Sequence, residues 1–156
     1  MKYEIEHKYL VNREFWNLLE KPAGTRIVQG YLEDQPEKTI RVRIMGDQGF
    51  LTIKGPAIEA TRLEYEYCIP LTDAEDILRE FTTQQIEKIR YEIDYAGKLW
   101  EIDKFLGANE GLFIAEIELE NENDSYDKPF WLGEEVTGNP HYNNSYLVKK
   151  PFSTWQ

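Results

Sequence analysis

Cysteine is nearly missing from this chain: Cys68 is the single one in 156 residues. One thiol closes no internal disulfide and supplies no zinc cluster, so a reduced, cytoplasmic protein is the expectation. Histidine is almost as scarce, with only His7 and His141, which leaves little room for chemistry built on several imidazoles. No apolar run approaches the roughly 20 residues of a membrane-spanning helix. The first eight residues carry charge in place of an apolar leader core, so a secretory leader is not expected either. Basic residues are in deficit, 18 against 29 acidic ones, for a net charge of -11. That balance excludes a general nucleic-acid binder, which would show a basic surface. A small polyanion stays admissible if the basic residues gather in one place. Low-complexity stretches, solenoid repeats and an interdomain linker are all missing, so residues 1–156 are read as one domain.

What is present is strand-like. Hydrophobic residues make up 41% and aromatic ones 13%, enough for a core and suited to sheet packing. Strands are expected over residues 3–11, 25–33, 38–45, 50–54, 61–69, 85–95, 98–105 and 112–120, joined mostly by short turns. Asn12 is placed as the N-cap of a short helix through Leu19, and Phe15, Trp16 and Leu19 are expected to cover a flank of the sheet. Thr72-Asp73-Ala74-Glu75 reads as a capping box opening a second helix. A third short helix is expected near residues 142–149. The sum is an α+β chain, mainly antiparallel β, with about eight strands and a few flanking helices. Eight strands suffice to close a barrel, and periodicity alone leaves an open sheet or a sandwich as alternatives.

The charges on these strands are sorted. Side chains alternate between faces with period two, so Glu4, Glu6 and Lys8 share one face. Acidic pairs recur at Glu101/Asp103 and Glu116/Glu118, and Glu64/Glu66 accompany Arg62. Basic pairs stand at Arg41/Arg43 and Lys88/Arg90, joined by Lys54. Like charges side by side weaken a sheet unless something binds them. A divalent cation answers the carboxylates and phosphate oxygens answer the arginines. A charged barrel interior would then hold a metal–polyphosphate complex, with charge neutralisation as the main catalytic device. His7 has the wrong parity to join Glu4 and Glu6 and is read as structural, while Cys68 is expected to be buried and inert.

With those residues in hand, the chain resembles the CYTH superfamily, the triphosphate tunnel metalloenzymes. The hallmark Glu-x-Glu-x-Lys is met by Glu4-Ile5-Glu6-His7-Lys8. Further matches are Gln29-Gly30-Tyr31-Leu32, Ile40-Arg41-Val42-Arg43, Leu51-Thr52-Ile53-Lys54 and Arg62-Leu63-Glu64-Tyr65-Glu66. Glu87-Lys88-Ile89-Arg90-Tyr91, Trp100-Glu101-Ile102-Asp103 and Ala115-Glu116-Ile117-Glu118 continue the series. The resemblance implies an eight-stranded antiparallel tunnel with charged side chains pointing inward. It implies Glu4, Glu6, Glu116 and Glu118 as ligands of Mg²⁺ or Mn²⁺, joined by Asp103, with Glu101, Glu64 and Glu66 as further tunnel carboxylates. Lys8, Arg41, Arg43, Lys54, Arg62, Lys88 and Arg90 would cradle the phosphates, and Glu4, Glu6, Lys8 and Lys88 would form the catalytic set.

Overall length and the segment Trp131-Leu132-Gly133-Glu134-Glu135-Val136-Thr137 are similar to the short bacterial branch associated with inorganic tripolyphosphatase activity. Asn143 and Ser145 depart from the Lys that some relatives carry there, and Lys149 and Lys150 read as ordinary surface charge. The expectation is hydrolysis of the terminal phosphate of tripolyphosphate or a related organic triphosphate. Adenylyl cyclase chemistry, a non-catalytic polyphosphate-binding module and thiamine triphosphatase are the alternatives, the last with Trp100, Trp131 or Trp155 as stacking candidates. The partner is a small triphosphate, without nucleic acid or membrane, and a homodimer is admissible.

Overall fold

The computed structural model describes residues 1–155. Nine strands form one antiparallel sheet: β1 (Tyr3–Val11), β2 (Thr25–Gln35), β3 (Lys38–Met45), β4 (Gln48–Lys54), β5 (Thr61–Ile69), β6 (Gln85–Tyr95), β7 (Lys98–Phe105), β8 (Phe113–Glu118) and β9 (Leu132–Glu135). The order is β5-β4-β3-β2-β6-β7-β8-β1-β9, and a further β1–β5 pairing closes the first eight strands into a barrel. That closing ladder is short, running from Tyr3–Leu63 to Ile5–Thr61. Beyond Ile5 the two strands part. Glu6 then donates its backbone N–H to Ala60, Lys8 pairs through its backbone with Val136 and Thr137, and β9 continues along β1. The ninth strand was not expected from the sequence. Four residues ending in Glu134-Glu135 alternate too weakly to announce themselves, and their pairing with β1 is what makes them a strand.

Unlike most small barrels, this one keeps its apolar packing largely outside. Tyr9, Trp100, Ile102, Ala115 and Ile117 face outward and are buried under Trp16 and Trp131. Trp16 comes from α1 (Arg13–Leu18), which Asn12 caps by accepting the Phe15 N–H. Val42 on β3 packs with Ala74 and Leu78 of α2 (Leu71–Phe81), with Val28, Ile44 and Leu51 around them. The proposed capping box does not form. The helix starts two residues earlier than that box requires, at Leu71, and Pro70 stands at the cap without a side-chain hydrogen bond. Thr72 is then already inside the first turn, where its hydroxyl is wrongly placed to cap.

The inner face is two-toned. Along the same parity, Lys8 gives way to Leu10, Lys88 to Ile86, Asp103 to Phe105 and Glu116 to Ile114. Opposed pairs in the ladders agree: Leu10 faces Ile114, and Lys88 faces Phe105. This apolar end is stopped by α3 (Asn144–Lys149), whose Leu147 is fully buried against Ile86, Phe105, Leu112 and Ile114. The charged part of the lumen is left as a cavity of about 490 Å³.

Candidate active site

Strand alternation delivers the charged parity to one cavity. Its walls carry Glu4, Glu6 and Lys8 from β1, Arg41 and Arg43 from β3, and Lys54 from β4. Arg62, Glu64 and Glu66 come from β5, Lys88 and Arg90 from β6, Glu101 from β7, and Glu116 and Glu118 from β8. Every site residue named from the sequence except Asp103 is therefore on the lining. Seven Lys and Arg side chains meet eight Glu there once Glu59, on the β4–β5 connection, is included.

Asp103 departs from the expectation of a metal ligand. It is fully buried, and both its oxygens are engaged: Lys88 Nζ lies 2.7 Å away, while Arg90 donates to both at 2.8 and 2.9 Å. Burial works against its charge, but Lys88 and Arg90 outweigh that and hold the carboxyl well below its usual range. A bidentate arginine plus an ammonium leaves little lone-pair capacity for a cation. Parity gave the correct face but could not reveal who else claims the carboxylate. Burial in turn lowers Lys88 to about 8, against the pull of Asp103.

The other carboxylates are crowded and under-served. Glu4 contacts both Glu6 and Glu64, and Glu6 contacts Glu116. Lys54 Nζ stands 2.8 Å from Glu4 and 3.1 Å from Glu64, and Lys8 Nζ 3.6 Å from Glu6. The Lys54 approach is an ion pair but is poorly aligned for a hydrogen bond, so buried Glu4 Oε2 has no hydrogen-bond partner among the described residues. Burial pushes Glu6 up, the Glu116 charge pushes further, and Lys8 only partly opposes them; Glu6 sits well above the carboxylate range. Burial and the hydrogen bond with Glu4 lift Glu64 to about 7. Glu118 is raised by burial and then by Glu4. Glu101 is also raised by burial, which Arg90 only partly offsets.

The basic wall is under-served in the opposite sense. Arg41 and Arg43 each bury an Nε–H that no acceptor meets among the described residues. A buried donor left unpaired costs about 1–3 kcal/mol, so two of them facing one cavity call for an anionic acceptor. Burial and the charge of Arg41 lower Arg43 to about 10, which still leaves it protonated at neutral pH.

The donor set fits a hard divalent cation: oxygens, chiefly carboxylate, with neither sulfur nor imidazole on the lining among the described residues. Among the described residues, no three of the His, Cys, Asp and Glu side chains stand in ready coordination geometry. The glutamates lean on one another and on Lys8 and Lys54 instead, and a cation between them would relieve their repulsion.

Several lining residues escaped the sequence reading. Tyr31 precedes a bulge in β2, which hides its parity, and Gln29 donates to its hydroxyl at 3.4 Å. Thr137 and Asn144 reach the cavity from the C-terminal segment, where no periodicity points to it, beside Asn143 and Ser145, which the sequence singled out only as departures from Lys. Lys149 pairs with Asp34 on the outside, as surface charge. Cys68 is exposed rather than buried: it pairs with Phe50 of β4 on one side, but the ladder to β1 on the other ends at Leu63. His7 faces outward, 2.6 Å from the Tyr126 hydroxyl. Trp100 and Trp131 are sealed in the outer cluster, and Trp155 packs on Tyr142 and Tyr146, so none of the three can stack on a substrate ring in this cavity.

A closed antiparallel barrel with a charged, plugged lumen defines a class of protein, and the comparisons agree on which. The CYTH domain profile matches residues 2–145. A protein of Acetivibrio thermocellus named inorganic triphosphatase is 46% identical over 157 residues, spanning 100% of this chain and 99% of its own length. A Nitrosomonas europaea protein of the same name is 33% identical over 153 residues, covering 93% and 96%. A crystal structure of an inorganic triphosphatase superposes with a TM-score of 0.66 at 31% identity, covering 95% of each chain. The chain belongs to the CYTH domain family.

Proposed function

We propose that this chain is a phosphoanhydride hydrolase that removes the terminal phosphate of inorganic tripolyphosphate with Mg²⁺ or Mn²⁺ as cofactor. The observation that carries the reading is the pairing of unmet needs in one cavity: buried arginine donors that meet no acceptor among the described residues, opposite crowded carboxylates that Lys8 and Lys54 serve only in part. The names of the relatives above support it. The near balance of fixed charge on the lining adds a reason for the metal. A polyphosphate entering alone would leave the cavity strongly negative, so it enters with a cation.

In this reading Glu4, Glu6, Glu116 and Glu118 hold the cation, which supplies charge neutralisation and Lewis acidity. Arg41, Arg43, Lys54, Arg62 and Arg90 bind and orient the phosphate oxygens, and Lys8 and Lys88 reach the phosphate chain from different walls. Asp103 keeps Lys88 and Arg90 in place. Glu64 and Glu66 orient water. Fixed charges aimed at a loose, highly anionic transition state lower the barrier without a covalent intermediate. The 156 residues act as one cytoplasmic domain on a small molecule.

Phosphate release from tripolyphosphate, thiamine triphosphate, ATP and pyrophosphate, each with Mg²⁺ or Mn²⁺, tests the proposal. Orthophosphate should appear fastest from tripolyphosphate. Release from none of the four with either ion, or cyclic AMP as the main product from ATP, would overturn it.

A further inference from the structure

Two consecutive asparagines sit where the charged cavity meets its apolar plug. Asn143 precedes α3 and Asn144 opens it. The Lys8 ammonium donates to Asn143 Oδ1 at 3.3 Å, and the Lys88 ammonium to Asn144 Oδ1 at 2.9 Å. Lys8 stands on β1 and Lys88 on β6, strands separated in the barrel by β7 and β8. One dipeptide thus reaches two cations on different walls. Each cation already has carboxylate neighbours, Glu6 and Glu116 for Lys8 and Asp103 for Lys88.

We propose that Asn143 and Asn144 are positioning residues: they seat the Lys8 and Lys88 ammonium groups at the floor of the cavity and, being uncharged, leave that positive charge to the substrate. An ammonium has three donors. On Lys88 one is taken by Asp103 and one by Asn144, which leaves one direction for a phosphate oxygen. A carboxylate at 144 would hold the lysine equally well but would cancel its charge and face the substrate with a like charge. An amide is the acceptor that orients without neutralising. This inference rests on the triphosphate reading above.

The test replaces each asparagine with Asp and, separately, with Ala. Melting temperature, tripolyphosphate affinity by calorimetry with Mg²⁺, and kcat and KM are followed together. Asn144→Asp should leave the melting temperature equal or higher, since a salt bridge to Lys88 replaces a neutral hydrogen bond. Its tripolyphosphate Kd and KM should nevertheless rise about tenfold or more, because like-charge juxtaposition at a binding surface is costly. Asn144→Ala should weaken binding less than the Asp variant while melting lower, and the Asn143 variants should follow the same order through Lys8. Affinity unchanged in the Asp variants, or affinity tracking melting temperature across all four, would overturn the proposal. Binding is read independently of turnover, so a wild-type chain that binds tripolyphosphate without cleaving it would sink the proposed hydrolysis and still decide this question.

Discussion

The β6–β7 wall and the β1–β5 seam are built from the same residue types and reach opposite electrostatic states. The wall is a continuous ladder from Lys88–Phe105 to Tyr95–Lys98, backed outside by Trp100 and Ile102. Its buried carboxylate is satisfied, with Asp103 held by Lys88 and Arg90. The seam is laddered only from Tyr3–Leu63 to Ile5–Thr61. There Glu4, Glu6 and Glu64 press together, and two of the three are pushed toward protonation. Buried ions that are fully paired serve position, whereas buried ions that are crowded and under-paired mark where a ligand is required. The difference separates an anchoring carboxylate, Asp103, from carboxylates gathered for a ligand within one barrel.

Breaking the wall should cost the most stability. Asp103→Ala strips two buried cations of the carboxylate they share and should destabilise the fold by about 3–5 kcal/mol, read from denaturant unfolding. The seam should behave in reverse. Glu4→Gln should fold with near-normal stability yet lose about 100-fold or more of its tripolyphosphatase turnover, as removal of a key electrostatic group does elsewhere. Full turnover of Glu4→Gln with added Mg²⁺ would erase the distinction.

Acid–base behaviour sharpens the contrast by a smaller amount. Glu64 is lifted from 4.5 to about 7 in the folded chain. The fold therefore holds this proton more tightly than the unfolded chain does. Its stabilising contribution is complete below pH 4.5 and is lost as pH rises through about 7. With divalent ions chelated, wild type should lose stability relative to Glu64→Gln across that window, and the difference should show in melting curves at stepped pH. A difference of the opposite sign would contradict the crowding. The smallest effect is expected at Cys68, exposed and off the lining. Cys68→Ser should change stability by less than about 0.5 kcal/mol and leave turnover alone.

Much of this contrast can be read from alternation. Period-two spacing places Glu4, Glu6 and Lys8 on one face and Arg41 and Arg43 on another strand's equivalent face, and the structure turns both inward. Alternation is silent on what lies across the lumen. It could not tell that Asp103 belongs to Lys88 and Arg90, because that depends on reach and angle between β6 and β7. It could not tell that the inner parity turns apolar at Leu10 and Ile86, since the plug that covers them comes from Leu147, far along the chain. The capping-box motif at Thr72 failed for a local reason, a proline just upstream that starts the helix early. Asn143 and Asn144 carry no periodic signal, and only the fold brings them to the lysines.

The most direct test of the seam is cation-dependent stability. Melting temperature is measured against Mn²⁺ concentration for wild type and for Glu6→Gln, whose parent carboxyl is pushed well toward protonation by burial and Glu116. Ligand linkage predicts a rise of a few degrees in wild type, growing with the logarithm of concentration, and little or none in Glu6→Gln. Equal rises in both, or no rise in either, would contradict the claim that these carboxylates are gathered to hold a metal ion.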